Sequence, residues 1–148
     1  MRLTIQLKLQ PTPAQADALR RTLVRANEAC DYISRIAWEA KTFRQFAMHR
    51  LCYKGVRETF DLAAQMAVRC ISKVADAYKL DTNRLRTFTP LGAIAYDGRI
   101  LYFNRTKQEV SIWTLDGRQA MPFVCGERQR QLLQAQHGES DLALVNGK

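Results

Sequence analysis

Two hydrophobic periods run along this chain, and the order in which they appear constrains the fold more than any other feature. Leu3, Ile5, Leu7 and Leu9 alternate with Thr4, Gln6 and Lys8, the period of a half-buried strand. Pro11 ends that run. Through the next seventy residues the period is helical, and from Ile94 onward it is that of strands again. A single short strand has no stable existence alone, so the first one must pair with strands beyond the helical block. The helices are then an insertion between the first and second strands of a β-barrel-like or strongly twisted antiparallel sheet, which makes the fold α+β. Small, partly open barrels of this kind often bind oligonucleotides.

The helical signals are specific. Thr12 is placed to cap a helix, Pro13 suits its first position and Gln15 completes a capping box. Behind them Leu19, Leu23, Ala26, Cys30, Ile33 and Ala37 fall on one helical face. Arg21 and Arg25 fall on a different, solvent-facing stripe, one turn apart. A second cap, Thr42 with Gln45, opens a shorter helix that Lys54-Gly55 closes. Phe60, Ala64, Ala67, Ile71, Val74 and Tyr78 mark a third helix, so three amphipathic helices form a bundle.

A polar connector covers residues 81–90, and the β signals follow it. Ile94–Tyr96 and Arg99–Phe103 flank Asp97-Gly98, and Val110–Leu115 and the segment reaching Val124 flank Asp116-Gly117. Both pairs predict hairpins. Residues 126–136 predict a short helix. The last apolar strand, Asp141–Val145, is followed by Asn146-Gly147, a hairpin turn with no returning strand before Lys148. An unpaired strand exposes backbone donors and acceptors. The expectation is that these residues are the front part of a longer protein, with an open C-terminal edge available for self-association.

Composition narrows the function classes. The hydrophobic fraction of 47% supports a packed core and argues against disorder. No apolar run approaches a membrane span, and the N-terminus reads as a strand and not a signal peptide. A cytoplasmic protein with no membrane partner is expected. None of Cys30, Cys52, Cys70 and Cys125 lies in a C-x-x-C pair, so neither a structural zinc site nor any other metal or cofactor is called for. The net charge of +9 favours a polyanionic partner, most often nucleic acid. Residues 11–80 carry 12 Lys/Arg against 7 Asp/Glu, so much of the excess sits in the helical block.

The candidate phosphate contacts there are Arg20, Arg21, Arg25, Arg50, Lys54 and Arg57. Such side chains neutralise phosphates and release counterions with little sequence preference. For any single one the alternative is a solvated helix face. Arg128 and Arg130, opening a helix after Gly126, are further candidates, because free backbone N–H groups there also favour an anion. Tyr96, Tyr102, Phe103 and Trp113 lie in predicted strands, where exposed aromatics stack unpaired bases and buried ones serve as core or cross-strand pairs. Tyr102 and Phe103 are adjacent, so they face opposite sides of the sheet. A thiol enzyme pairing Cys52 or Cys125 with His49 or His137 is the weakest alternative, since nothing local activates either sulfur.

Three segments carry a family resemblance. Leu7–Gln15 (LKLQPTPAQ) resembles the opening of the TnpB (OrfB) family of transposon-encoded proteins, relatives of the type V CRISPR effectors. Gln65–Tyr78 (QMAVRCISKVADAY) is similar to the family's helix ahead of its β-rich region. Arg128–Leu133 (RQRQLL), with Gly138–Leu142 (GESDL) after it, resembles the stretch before the nuclease domain. The resemblance implies a wedge domain of residues 1–10 and 88–148, oligonucleotide-binding-like, with a helical recognition domain of residues 11–87 inserted. It implies a structured guide RNA, and target DNA paired with it as an RNA–DNA heteroduplex, as partners. The family's RuvC-like nuclease and four-cysteine zinc motif follow the portion matched here, so no catalytic residue is carried over. The alternative is a naturally shortened, stand-alone nucleic-acid-binding regulator or interaction subunit.

Overall fold

The structure is a computed structural model that describes residues 7–104, 106–124 and 140–144. Its first strand, β1 (Lys8–Leu9), is the end of the predicted one, and Leu3 and Ile5 lie outside the described residues. Helix α1 (Pro13–Ala40) follows, and its start is the predicted capping box. The Thr12 Oγ1 accepts from the Gln15 N–H at 3.2 Å, and the Gln15 Oε1 accepts from the Thr12 N–H at 3.0 Å. All six residues of the predicted apolar face are buried.

The helix boundaries after α1 differ from expectation. Thr42 does not cap the second helix, because it belongs to the end of the first. Lys41 adopts a left-handed conformation, and the N–H groups of Lys41 and Thr42 donate to the carbonyls of Trp38 and Ala37. That satisfies two orphan carbonyls of α1. Helix α2 (Gln45–Phe60) therefore starts later, with Arg44 at its N-cap and no side-chain cap bond. It also runs through Gly55 instead of stopping there. A Cβ at Gly55 would stand 2.5 Å from the Tyr32 hydroxyl, so the glycine marks a close approach of α1 and not a helix end. Asp61, left-handed at φ 51°, is the C-cap. Phe60 thus belongs to α2, and α3 (Ala64–Leu80) carries Ala67, Ile71, Val74 and Tyr78 into the core together with Met66, Cys70 and Ala75.

The connector after α3 is held by buried polar groups. The Tyr78 hydroxyl donates to the Ser34 carbonyl at 3.1 Å and accepts from the Arg86 N–H at 3.3 Å, while the Ser34 Oγ donates to the Arg86 carbonyl at 2.5 Å. Asn27 donates to the carbonyls of Pro90 and Gly92, and its own oxygen accepts from Lys73 at 2.6 Å. Because unpaired buried groups are costly, these bonds set the path by which the chain leaves the helices for the strands.

Five strands follow: β2 (Ile94–Tyr96), β3 (Leu101–Asn104), β4 (Glu109–Thr114), β5 (Gly117–Val124) and β6 (Ser140–Leu142). β1, β5, β4 and β3 form an antiparallel four-stranded sheet in that order, so the first strand does pair across the helical block, Lys8 with Val124 and Leu9 with Phe123. The second predicted hairpin is present. β4 and β5 pair throughout, Leu115 and Asp116 make the turn, and Gly117 supplies the positive φ of 95°.

The first predicted hairpin is not present. Its turn needs a positive φ at Gly98, which Gly98 does not adopt. Instead the Asp97 carboxylate accepts from the Arg99 N–H, and the Asp97 carbonyl accepts from Ile100 and Leu101. This turn sends β3 to β4, while β2 packs on α3 and pairs with β6. The predicted lone C-terminal strand is accordingly paired within the chain, with Ile94 opposite Leu142. Asn146-Gly147 and the predicted helix at 126–136 lie outside the described residues.

Among the described residues the strands form these two open sheets and close no barrel. One continuous core joins the helices to Ile94, Tyr96, Ile112 and Met121 of the strands. No described helix is long and apolar enough to cross a membrane.

Candidate nucleic-acid interface

Helix α2 is the outer helix of the bundle. It packs on α1 and α3 and buries only Met48, Cys52 and Val56, a single narrow i, i+4, i+8 stripe. Tyr53 and Phe60 are half-buried at its margins, much of the remaining surface is exposed, and residues 44–58 hold four Lys/Arg against one Glu.

The spacing of that outer surface builds two parallel rows. Phe46, Arg50 and Lys54 follow one another at four-residue steps, as do His49, Tyr53 and Arg57. Residues four apart are neighbours on a helix, and so are residues three apart, so the six side chains make a compact lattice. The contacts agree. The Arg50 guanidinium lies 5.7 Å from the Phe46 ring centroid, and that of Arg57 lies 6.0 Å from the Tyr53 centroid. His49 stacks on Tyr53 at 4.6 Å with an interplanar angle of 16°. Phe46 is 76% exposed. Lys54 reaches Glu58 at only 4.0 Å, with both side chains well exposed, so that pair neutralises little.

The other basic candidates are engaged differently. Arg20 is exposed on α1. Arg21 is clamped between Asp17 (2.7 Å) and both oxygens of Asp116 (2.5 and 3.1 Å), joining α1 to the β4–β5 turn. These bonds raise the Arg21 pKa further above its usual range and hold the Asp116 carboxyl below the usual carboxylate range. Arg25 is half-buried and not on a free stripe, because its guanidinium donates to the Phe60 carbonyl at 2.9 Å and ties the end of α2 to α1. Arg128 and Arg130 lie outside the described residues.

The strand aromatics divide by register. Tyr96 is fully buried, its hydroxyl donates to the Trp113 carbonyl at 3.3 Å, and burial pushes its phenol pKa up. It is a core residue and offers no face for stacking. Phe103 points to the packed side of the sheet, edge-on to Phe123 at 5.7 Å. Tyr102 pairs with Ser111 and Trp113 with Arg118, and alternation puts all four on the opposite, outward face. There Arg118 lies 5.3 Å from the Tyr102 centroid while donating to the Ser111 Oγ and the Arg99 carbonyl. Tyr102 is 52% exposed. The outward face thus holds a guanidinium fixed over an aromatic ring beside a half-buried Trp.

The sequence reading singles out Arg50, Lys54 and Arg57, and the structure places Phe46, His49 and Tyr53 beside them and Arg118 on the outward sheet face. The four-residue steps joining Phe46 to Arg50 and Tyr53 to Arg57 were legible. Arg118 was not, since its partners come from β3 and β4. The three described thiols are buried: Cys52 is pushed up to about 11 by desolvation, and Cys30 is raised by its contact with Cys70 and by burial, while Cys125 and His137 lie outside the described residues. His49 stacks on Tyr53, and no group of His, Cys, Asp and Glu among the described residues is arranged to hold a metal ion. No protein-family model and no curated protein matches the chain.

Proposed function

We propose that this chain is a non-catalytic nucleic-acid-binding module whose principal contact surface is the outer face of α2. One observation carries the reading: Arg50, Lys54 and Arg57 share that face, opposed by a single exposed carboxylate that meets only Lys54, at 4.0 Å. Arg50 and Arg57 are seven residues apart, about 10 Å of helix axis. A nucleic-acid strand presents a phosphate about every 3.4 Å of its own axis, so several phosphates lie within reach. In the fuller form suggested by the TnpB resemblance, the helices form a recognition domain and the strands a wedge. Together they hold a structured guide RNA and its heteroduplex with target DNA through charge and shape, with sequence read by base pairing.

Filter binding of RNA across a salt series tests the reading. The expected result is a linear fall of log affinity with log salt concentration. Absence of RNA and DNA affinity at low salt would sink it, and metal-dependent DNA cleavage by this chain would overturn its non-catalytic part.

A further inference from the structure

The α2 lattice contains more than charge, and its aromatic part has a consequence for which nucleic acids it favours. Phosphates are equally available on single strands and duplexes, so Arg50, Lys54 and Arg57 do not distinguish the two by contact. An aromatic ring does. A base in a duplex is stacked above and below, whereas an unpaired base presents a free π-face.

The two rings of the lattice are not equivalent. Tyr53 is half-buried, with His49 stacked on it and Arg57 beside it. Phe46 stands at the start of α2, 76% exposed, with the Arg50 guanidinium alongside. A lone exposed apolar residue needs no explanation. This one lies next to Arg50 on a helix that holds three Lys/Arg against one Glu, one turn from the Tyr53–His49 stack, and the surrounding charge fits a polyanion.

We propose that α2 binds unpaired nucleotides, with Phe46 as the platform on which a base stacks and Arg50 holding the adjoining phosphate. This rests on the nucleic-acid-binding reading above and adds its substrate class: single-stranded RNA, or the unpaired loops of a structured one. Arg50 serves both parts, since a guanidinium both pairs with phosphate and lies against aromatic rings.

The test compares oligo-uridine with the duplex it forms with oligo-adenine, by fluorescence anisotropy on the full chain. Wild type is expected to prefer the single strand. Phe46→Ala is expected to weaken single-strand binding about 5- to 150-fold, the range of one base–aromatic stack, and leave duplex affinity unchanged. Phe46→Leu, which keeps apolar bulk without a ring, should behave as Phe46→Ala does, and Phe46→Trp should restore binding. Because Phe46 is exposed, circular dichroism of the variants should match wild type. If wild type binds both probes and Phe46→Ala lowers both equally or neither, the stacking proposal is overturned and the nucleic-acid reading stands. If wild type binds neither, both fall, and a protein partner for this face becomes the better account.

Discussion

Replacing Arg50, Lys54 and Arg57 together with glutamine is the perturbation that bears most directly on the α2 face. Each phosphate contact on a single strand contributes about 0.7 to the slope of log affinity against log salt. Removing three contacts should therefore flatten the slope by about 2. Between about 50 and 200 mM salt the wild type should then lose roughly 16-fold more affinity than the variant.

The structure predicts that stability is little altered. Lys54 meets Glu58 only at 4.0 Å with both groups exposed, and exposed pairs of this kind contribute about 0–1 kcal/mol. Arg57 gives up one exposed hydrogen bond to Tyr53. Arg25→Gln is the matched control. Its guanidinium is committed to the Phe60 carbonyl, so its loss should lower the urea midpoint and leave the salt slope alone. The assay is equilibrium filter binding of single-stranded RNA at several salt concentrations, with unfolding curves for each variant. An unchanged slope in the triple variant, or a flattened one in Arg25→Gln, would refute the assignment of phosphate contacts to α2.

Two further outcomes follow from the fold. Tyr78→Phe removes the hydroxyl that joins Ser34 to Arg86 and leaves the Arg86 N–H without that acceptor, so stability should fall by about 1–3 kcal/mol. The urea midpoint should drop at constant m and the Arg86 amide should exchange faster; an unchanged midpoint would contradict the role given to this hydroxyl. Asp116 is held below the ordinary carboxylate range by hydrogen bonding to Arg21, so its contribution is present above about pH 4 and is lost as pH falls through its depressed pKa. Asp116→Asn should therefore be less stable than wild type at neutral pH, with the difference closing in acid, whereas a constant offset down to low pH would show that the ion pair is not responsible.

Much of the architecture is local and was legible in the residues. The Thr12–Gln15 cap, the buried faces of α1 and α3, and the turn before Gly117 all depend on neighbours within a few positions. The pairing of β1 across the helices could also be inferred, because a lone strand has nowhere else to satisfy its backbone. The charged row of Arg50, Lys54 and Arg57 was visible for the same reason that helix faces are. Its aromatic half, Phe46 and Tyr53, follows the same four-residue spacing.

What tertiary structure decided were choices between locally equivalent alternatives. Gly55 fits a helix end or a close approach, and Tyr32 of α1 made it the latter. Asp97-Gly98 fits a hairpin, yet β2 packs on α3 and pairs with β6, so β3 turns away to β4. Arg21, Arg25 and Arg50 look alike in one dimension. Only the positions of Asp116 and the Phe60 carbonyl make the first two structural ties and leave the third exposed. Likewise Tyr96 and Tyr102 are both strand tyrosines, and the packing of β2 on α3 buries one while the pairing of β3 with β4 turns the other to solvent. The physical reason is common to all four cases: propensity and period are set by nearest neighbours, whereas burial and hydrogen-bond partners are set by residues distant in the chain.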